Sequence, residues 1–297
     1  MRILLTGPTG FIGSAFARLA LSKGHQIAGL LLPGEAIPPG IPASHGLAWL
    51  RGTIADAPWS EIADFQPEIC VHTAWITAPG VYLESPENDV FRDASLVFLQ
   101  KASGVGAGRI ISLGTCVEYR IGPVPLSEDT TPVQPTTRYA RCKNDLRLAL
   151  EAGVREHGYS LCWARVFYPY GPGEHPSRLC SSIIARLSKG EEILLRTPGS
   201  VKDYIYIDDL AAAILAVLEH RFEGTINLGT GSGVSVESLA RQLGGLLGKP
   251  QLIRVAASPV ADPFPCVVAD NRKLKSLGWR SAVSCEEGLK RLLNSRS

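Results

Sequence analysis

RILLT at residues 2–6 runs directly into GPTGFIG at residues 7–13, and this stretch decides the fold of the chain. The apolar residues 2–6 predict a short β-strand, and residues 11–23 have the apolar period of a helix that ends at Gly24. Glycines at positions 7, 10 and 13 let the backbone approach a pyrophosphate without interference from Cβ atoms. Because a helix N-terminus also offers free N–H groups to an anion, the stretch predicts a dinucleotide-binding turn.

The alternation of strand and helix continues over the first half of the chain. Apolar runs predict strands at 26–32, 47–51, 69–73, 109–114 and 161–167. Helical periodicity predicts helices at 88–104 and 139–156. Strands that are apolar on both faces and separated by helices are typical of a parallel sheet. We therefore predict an α/β fold with a doubly wound parallel sheet of the Rossmann type.

Proline and glycine mark two loops. Residues 32–46, which include Pro38, Pro39 and Pro42, predict a surface loop after the second strand. Residues 121–137 carry four prolines and predict a second loop.

The pattern changes after residues 171–173, where the chain reads Gly-Pro-Gly. Mixed helical and strand-like segments follow at 177–189, 202–207, 208–219, 225–228, 235–247 and 285–294. We predict that residues 1–170 form a dinucleotide-binding domain, with returning segments near 203–230. Residues 171–297 are expected to form mainly a smaller C-terminal α/β substrate-binding lobe.

The composition is that of an ordinary globular protein, with 297 residues, 45% hydrophobic, 20% charged and a net charge of +2. This charge is too small, and Lys and Arg are too evenly spread, to predict a nucleic-acid surface. The seven cysteines are scattered without C-x-x-C spacing, which predicts reduced thiols and no metal site. Because neither a membrane helix nor a signal-peptide core is evident, we expect a cytoplasmic protein without a membrane partner.

Tyr139 and Lys143 stand four residues apart in RYARCK at residues 138–143. On a helix this spacing places both side chains on one face, with Cβ atoms roughly 5–6 Å apart. A nearby ammonium favours the phenolate and lowers the pKa of a phenol, normally about 10, which suits the phenol to acid/base work at a carbonyl. By itself the pattern is also common in helices where the tyrosine packs and the lysine is solvated.

Several motifs occur in a fixed order with this pair. They are the glycine turn at 7–13, RVFYPYGPG at 165–173, KDYIYIDD at 202–209, NLGTG at 227–231 and LGW at 277–279. Together they resemble the extended short-chain dehydrogenase/reductases, the NAD-dependent epimerase/dehydratase family of nucleotide-sugar enzymes. The resemblance spans nearly the whole chain.

The resemblance implies three catalytic residues. Tyr139 would be the general acid/base at the sugar oxygen, and Lys143 would lower its pKa and bind the nicotinamide ribose. Placing Tyr119 on the tyrosine of the family's S-S-x-x-V-Y-G run makes Thr115 the third member, sharing the substrate oxygen with Tyr139. Ser112 is the fallback for this role, although it would face elsewhere on a strand.

Two neighbouring residues carry alternative interpretations. Cys116 has the chemistry of a nucleophile, but a carbonyl reduction needs none, so we expect a buried packing thiol. His72 lies in an H-x-A run where the family has the same motif beside the cofactor, and it is compatible with a strand cap as well as with a catalytic role.

The cofactor implied by the resemblance is NAD or NADP. The residues that would bind it are Gly7, Thr9, Gly10, Phe11, Ile12, Gly13, Thr53, Ile54, Ala74, Tyr139, Lys143 and Phe167. Thr53 and Ile54 occupy the place of the family's Asp-Ile or Asp-Leu pair. The second strand ends in LLLP at 30–33, without the acid typical of NAD sites or the base typical of NADP sites. Glu35 follows inside the loop, so the preference stays open.

Thr115, Tyr168 and Lys202 are the substrate-binding residues that the resemblance implies. Tyr168 stands where epimerases often have Asn, and Lys202 replaces an Arg that meets the nucleotide diphosphate, keeping the charge but losing the bidentate fork. A further C-terminal arginine is not evident, and Arg178 and Arg196 are the candidates to compensate for it, although both are also compatible with an ordinary surface position.

Dehydration is disfavoured, because Cys116 and Val117 stand where the family's dehydratases carry Asp-Glu. We therefore predict an NAD(P)-dependent oxidoreductase that reduces the C4 keto group of a nucleotide-activated 4-keto-6-deoxy sugar. The alternative is an NAD-dependent nucleotide-sugar 4-epimerase, against which the missing ribose-binding acid argues. A non-catalytic dinucleotide-sensing protein is the remote alternative, since such modules commonly lose the Tyr139 or Lys143 equivalent.

The expected partner is a small nucleotide-sugar substrate, with no nucleic acid and no metal. The resemblance also implies a homodimer that pairs through the helices at 88–104 and 139–156.

Overall fold

The computed structural model of the chain describes residues 1–37, 40–41 and 46–296. Pro38, Pro39 and Pro42 of the first predicted loop lie outside the described residues.

The strands and helices alternate along the first half of the chain. The strands are β1 (Arg2–Thr6), β2 (Gln26–Leu31), β3 (Leu47–Arg51), β4 (Ile69–His72), β5 (Arg109–Thr115), β6 (Ser160–Val166), β7 (Tyr168–Tyr170), β8 (Ile193–Leu195), β9 (Val201–Lys202), β10 (Tyr204–Tyr206), β11 (Gly224–Leu228), β12 (Val234–Ser235), β13 (Ile253–Val255) and β14 (Cys266–Val267). The α-helices are α1 (Phe11–Ser22), α2 (Trp59–Phe65), α3 (Glu87–Gly104), α4 (Arg138–His157), α5 (Leu179–Ser188), α6 (Ile207–Glu219), α7 (Val236–Leu246), α8 (Arg272–Ser276) and α9 (Cys285–Asn294).

Seven parallel strands of the described chain form the main sheet, in the order β11-β6-β5-β4-β1-β2-β3. The order turns back on itself at β1 and β4, so the carboxyl ends of these strands border a crevice, which is where open α/β sheets bind ligands. The predicted fold class is confirmed. The outermost strand, β11, comes from residues 224–228, far along the chain.

Apolar side chains cover both faces of the main sheet, because successive strand residues point to opposite faces. Ile3 and Leu5 face the core under α1 and α6, whereas Leu4 faces a second core with Phe98 of α3 and Leu146 of α4. All five side chains are fully buried. Burying one such side chain contributes about 1.5–3 kcal/mol, so the two cores hold the strand ends, and with them the crevice, in place.

The second half of the chain carries three smaller sheets, β7 with β10, β8 with β13, and β12-β9-β14. The strand predicted at 202–207 is two strands, because Lys202 pairs with β12 and β14 while Tyr204 pairs with β7. Asp203 between them accepts hydrogen bonds from the backbone N–H groups of Thr230, Gly231 and Ala269, which turns the chain from one sheet to the other. Helix α2 escaped prediction because it has seven residues and buries only Ile62.

All seven cysteines are free thiols, as the scattered spacing predicted. None of the helices in the described ranges combines the length and the apolarity that a membrane crossing requires.

Candidate active site

A cavity of about 560 Å³ lies over the crevice. The glycine turn forms one wall of it, the end of β2 and residues 52–55 form one end, and the segment after β4 and the start of α3 form the other. The lining residues include Thr6, Gly7, Thr9, Gly10, Phe11, Ile12, Gly13, Leu30, Leu32, Glu35, Gly52, Thr53, Ile54, Ala55, Thr73, Ala74, Trp75, Phe91, Pro169, His175 and Arg178.

The glycine turn has the shape that a dinucleotide cradle requires. Gly7 has a φ of +66°, in the left-handed region that favours glycine. A Cβ on Gly13 would lie 2.0 Å from the carbonyl oxygen of Gly7, so only glycine fits there. Gly10 caps α1 without a side-chain hydrogen bond, which leaves the first N–H groups of the helix free for an anion at the cavity. A dinucleotide therefore fits this wall of the cavity.

A carboxylate stands at the end of the cavity where β2 stops. The Oε2 atom of Glu35 accepts a hydrogen bond of 3.0 Å from the backbone N–H of Leu32, so the loop folds the side chain back to the strand end. Glu35 and Leu32 both line the cavity beside Thr53. An acidic group therefore does occupy the end of the cavity beside β2, three residues beyond the position where the sequence lacked one. Arg51 donates to the carbonyl oxygens of Leu32 and Glu35 and is not part of the cavity wall.

Tyr139 lies in the first turn of α4. Thr137 caps this helix, since its hydroxyl accepts from the N–H of Ala140 at 3.2 Å. The Tyr139 ring packs edge-on against the Tyr82 ring, with 4.9 Å between ring centres. The backbone N–H of Tyr139 donates to the carbonyl oxygen of Leu83 at 2.9 Å. The cap and the loop before α3 thus fix the position of the phenol.

Lys143 lies one turn further along α4 and is buried. Its Nζ donates to the carbonyl oxygen of Leu113 at 2.8 Å and lies 3.7 Å from the centre of the Trp75 ring. Burial lowers the pKa of Lys143 to about 7, and the negative charge of Glu118 opposes that shift. The ammonium is therefore held by a carbonyl dipole and an aromatic face.

The pKa of Tyr139 is raised above its usual value, chiefly because the phenol is buried, and a hydrogen bond with Thr115 acts in the opposite direction. This shift is opposite to the expectation that Lys143 lowers the pKa of Tyr139. The reason is physical: loss of hydration penalises the phenolate, while the Lys143 ammonium is directed to Leu113 and Trp75. The phenol is consequently the resting form.

Thr115 ends β5, and its hydroxyl is close enough to Tyr139 to act on the pKa of the phenol in the downward direction. The backbone N–H of Thr115 donates to Glu118 at 2.8 Å. Glu118 also accepts from Trp163 at 3.1 Å and from Arg165 at 2.7 Å, all within the protein interior. Its carboxylate is thus occupied, which explains why Glu118 cannot replace the acid and base that dehydratases carry.

The alternatives considered at the sequence level occupy other places. Ser112 is buried on the opposite side of the strand from Leu113, and its hydroxyl has no hydrogen-bond partner among the described residues. His72 bridges Thr6 at 2.8 Å and Ser95 at 3.0 Å, and burial lowers its pKa to about 3, so the imidazole is neutral and structural. Cys116 is a buried thiol whose pKa burial raises to about 12.

Trp75 separates the cavity from the catalytic candidates. Trp75 lines the cavity, and the centre of its ring lies 3.7 Å from the Lys143 ammonium. Its Nε1 donates to Asn88 at 2.8 Å, which holds the ring in this orientation. Lys143 and Tyr139 are therefore adjacent to the cavity wall rather than part of it. The sequence indicated backbone contact near this residue and carried no signal for the role of its side chain.

The remaining predicted cofactor residues divide into two groups. Ala74 lines the cavity and donates its N–H to Thr6, and Ile54 lines it as well. Phe167 does not line it; it is buried in a third apolar cluster with Val117 and Val267.

On the substrate side, Lys202 is enclosed by its own partners. Its Nζ donates to Asp262 at 2.8 Å, to Ser200 at 3.1 Å and to the carbonyl oxygen of Phe264. The predicted free cation for a diphosphate is therefore neutralised in this structure. Tyr168 lies close by, with its ring centre 5.6 Å from the Lys202 ammonium.

Within the ranges that the structure describes, no group of three or more His, Cys, Asp or Glu side chains is arranged to hold a metal ion.

A protein-family model described as the NAD dependent epimerase/dehydratase family matches residues 3–229. A UDP-glucose 4-epimerase of Corynebacterium glutamicum is 26% identical over an alignment 301 residues long. The alignment covers 94% of this chain and 90% of the relative. The UDP-glucose 4-epimerase of Thermotoga maritima, solved with UDP-glucose, has the same fold, with a TM-score of 0.85 and 24% identity over 100% of this chain and 98% of that one. The Thermus thermophilus UDP-glucose 4-epimerase, solved with NAD, gives a TM-score of 0.84 and 25% identity over 99% and 98% of the two chains.

Proposed function

The chain belongs to the NAD-dependent epimerase/dehydratase family, as its motifs indicated, and from that premise we propose that it is an NAD-dependent 4-epimerase of a nucleotide-activated sugar. The observation that carries the proposal is the grouping of Thr115, Tyr139 and Lys143 behind the wall of a cavity shaped for a dinucleotide. The 4-epimerase names of the relatives support the choice of reaction.

We propose NAD rather than NADP as the cofactor. The Glu35 carboxylate at the ribose end supports this choice, because it can accept from a ribose hydroxyl and would repel a 2′-phosphate. It also removes the argument against an epimerase that the second strand of the sequence suggested. The glycine turn, Glu35 and Ala74 would hold NAD, which when bound would supply a reversible hydride acceptor for C4 of the sugar.

The chain's own residues handle the proton. In the oxidative half, Tyr139 takes the proton of the C4 hydroxyl, and in the reductive half it returns a proton to the same oxygen. Thr115 donates a hydrogen bond to that oxygen as charge develops on it. The first half requires the phenolate, which burial disfavours, and the Thr115 hydroxyl opposes that effect of burial. We assign Tyr168 to the substrate side of the same site.

Reduction of a 4-keto sugar is the second candidate, because one observation favours it. The raised pKa of Tyr139 makes the neutral phenol the resting form, and that is the proton donor a carbonyl reduction needs. The engagement of the Glu118 carboxylate by Trp163 and Arg165 argues against dehydration under either proposal.

The two reactions are separated with purified full-length protein. Acid release followed by chromatography measures NAD retained through purification, and nuclear magnetic resonance follows UDP-glucose and a panel of other nucleotide sugars. Epimerisation predicts retained NAD and interconversion of C4 epimers without net cofactor change. Stoichiometric loss of added NADH or NADPH with a 4-keto sugar nucleotide, and no epimer formation, would establish the reductase instead.

We further propose a homodimer that pairs through α3 and α4. Two large apolar side chains on these helices support it, since Val97 and Leu148 are 51% and 49% exposed. Light scattering during size-exclusion chromatography measures the oligomeric state, and a monomeric mass at micromolar concentration contradicts the proposal.

The free thiols support a cytoplasmic location. We also propose that residues 171–297 supply most of the substrate lobe.

A further inference from the structure

A nucleotide sugar brings two negative charges that the protein must meet, and Lys202 is not free to meet them. Its ammonium is 8% exposed and makes an ion pair of 2.8 Å with Asp262. The Ser200 hydroxyl and the carbonyl oxygen of Phe264 accept its other two hydrogen bonds. All three N–H groups of Lys202 therefore have acceptors inside the protein, and its charge is compensated.

Arg178 is a cation on the cavity wall. It lies at the N-cap of α5 and lines the cavity together with His175. Its guanidinium carbon lies 5.9 Å from the centre of the Tyr82 ring. Within the described part of the chain, no acidic side chain forms an ion pair with it. The Glu174 carboxylate, on whose pKa the Arg178 charge acts, is itself bound to Ser181.

The position of Arg178 relative to Tyr139 fits the shape of the proposed substrate. The Tyr82 ring lies between them, in contact with the Tyr139 ring at 4.9 Å and beneath the guanidinium at 5.9 Å. In a pyranose the diphosphate is attached at C1, across the ring from C4. A sugar whose C4 oxygen meets Tyr139 therefore carries its diphosphate on the far side of the sugar ring, and Arg178, on the cavity wall, lies over the same Tyr82 ring that packs against Tyr139.

We propose that Arg178 binds the diphosphate of the nucleotide-sugar substrate, in place of the paired Lys202. The inference rests on the proposed function of the site. A guanidinium suits the task because its planar fork can donate two parallel hydrogen bonds to phosphate oxygens. Arg196, the other candidate from the sequence, is exposed and does not line the cavity.

Isothermal titration of UDP, and separately of NAD, into the purified full-length protein tests the proposal. Arg178→Gln should weaken UDP binding about 10- to 100-fold, which is the loss expected for charge-assisted hydrogen bonds, and leave NAD binding within about twofold. Arg178→Lys should recover part of the affinity. Arg196→Gln is the matched control and should change neither ligand. Because Arg178 makes no side-chain cap on α5, Arg178→Gln should keep the melting temperature of the wild type.

The other outcomes overturn the proposal in distinct ways. Weaker NAD binding with unchanged UDP binding would assign Arg178 to the pyrophosphate of the cofactor. Unchanged binding of both ligands would make it an ordinary surface residue. If the wild type binds NAD but none of UDP, dTDP, GDP or CDP, the proposed function itself fails, and this inference fails with it.

Discussion

Glu118 and Arg165 form an ion pair of 2.7 Å in the interior, with side chains 0% and 2% exposed. The same carboxylate accepts from the backbone N–H of Thr115 and from Trp163. The Arg165 guanidinium lies 4.3 Å from the centre of the Tyr119 ring. The pair therefore ties the end of β5, where Thr115 stands, to the neighbouring strand β6.

Removing one partner of this pair should be costly. Arg165→Met leaves the Glu118 charge buried without compensation, so we expect the free energy of unfolding to fall by about 3–5 kcal/mol in urea denaturation. The double variant Glu118→Leu with Arg165→Met should recover much of that loss, because it removes the isolated charge. Arg254→Met, which breaks an exposed pair with Glu192, should cost less than about 1 kcal/mol. Equal losses in the single and double variants would contradict a coupled pair.

Gly13→Ala should damage both fold and cofactor binding, because the new Cβ would lie 2.0 Å from the carbonyl oxygen of Gly7. We expect a lower melting temperature and loss of measurable NAD binding by titration calorimetry. Gly104→Ala, at the end of α3, is the control, since nothing lies within 4 Å of its Cβ. If Gly13→Ala bound NAD with wild-type affinity, the glycine turn would be able to accommodate the added Cβ and still bind the cofactor.

Glu35→Gln should relax the preference for NAD over NADP. The neutral amide no longer repels a 2′-phosphate, so the ratio of the two dissociation constants should move toward NADP by about tenfold, measured by fluorescence titration. Glu61→Gln, on α2 and outside the cavity wall, should leave that ratio unchanged. If the wild-type protein binds NAD and NADP equally, Glu35 does not determine the preference between the two cofactors.

The lowered pKa of Lys143 predicts how the free energy of unfolding depends on pH. Its pKa is lowered to about 7 in the folded protein, whereas an unfolded lysine titrates near its ordinary value of about 10.5. Between these two values the unfolded chain binds a proton that the folded chain does not. Raising the pH from 7 to 10 should therefore stabilise the wild type relative to Lys143→Met, by at most about 1.4 kcal/mol per pH unit. Parallel unfolding profiles for the two proteins would place the Lys143 pKa near its ordinary value.

Tyr139→Phe keeps the ring that packs on Tyr82 but removes the proton-carrying oxygen. The turnover number should fall by about 10²–10⁴, while NAD binding should stay within about twofold. Tyr206→Phe, a matched change at a ring that packs against Tyr170 and Arg291, should keep wild-type turnover. Full activity in Tyr139→Phe would assign the proton transfer to another group.

Local periodicity and spacing were sufficient for the nucleotide-binding half of the fold. Residues 2–6 and 109–114 contain the apolar runs at 3–5 and 110–111, and in the structure they lie in the buried central strands β1 and β5. A strand covered on both faces leaves such a run in any sequence that folds this way. The short elements of the second half, such as β9 and β12 of two residues each, carry no period that can be recognised.

The sequence by itself determined the family, the parallel sheet, the glycine turn and the spacing of Tyr139 from Lys143, because each depends on short local patterns and on their order along the chain. Only the tertiary structure decided which charges are free. The Lys202 ammonium is not available to a substrate because it pairs with Asp262, sixty residues away along the chain. The Glu35 carboxylate lies at the cavity because it accepts a hydrogen bond from the backbone N–H of Leu32. Burial, which no local pattern reports, set the direction of the Tyr139 pKa. Ion pairing and desolvation depend on what the fold brings into contact, and that is why the chemistry of the site required the structure.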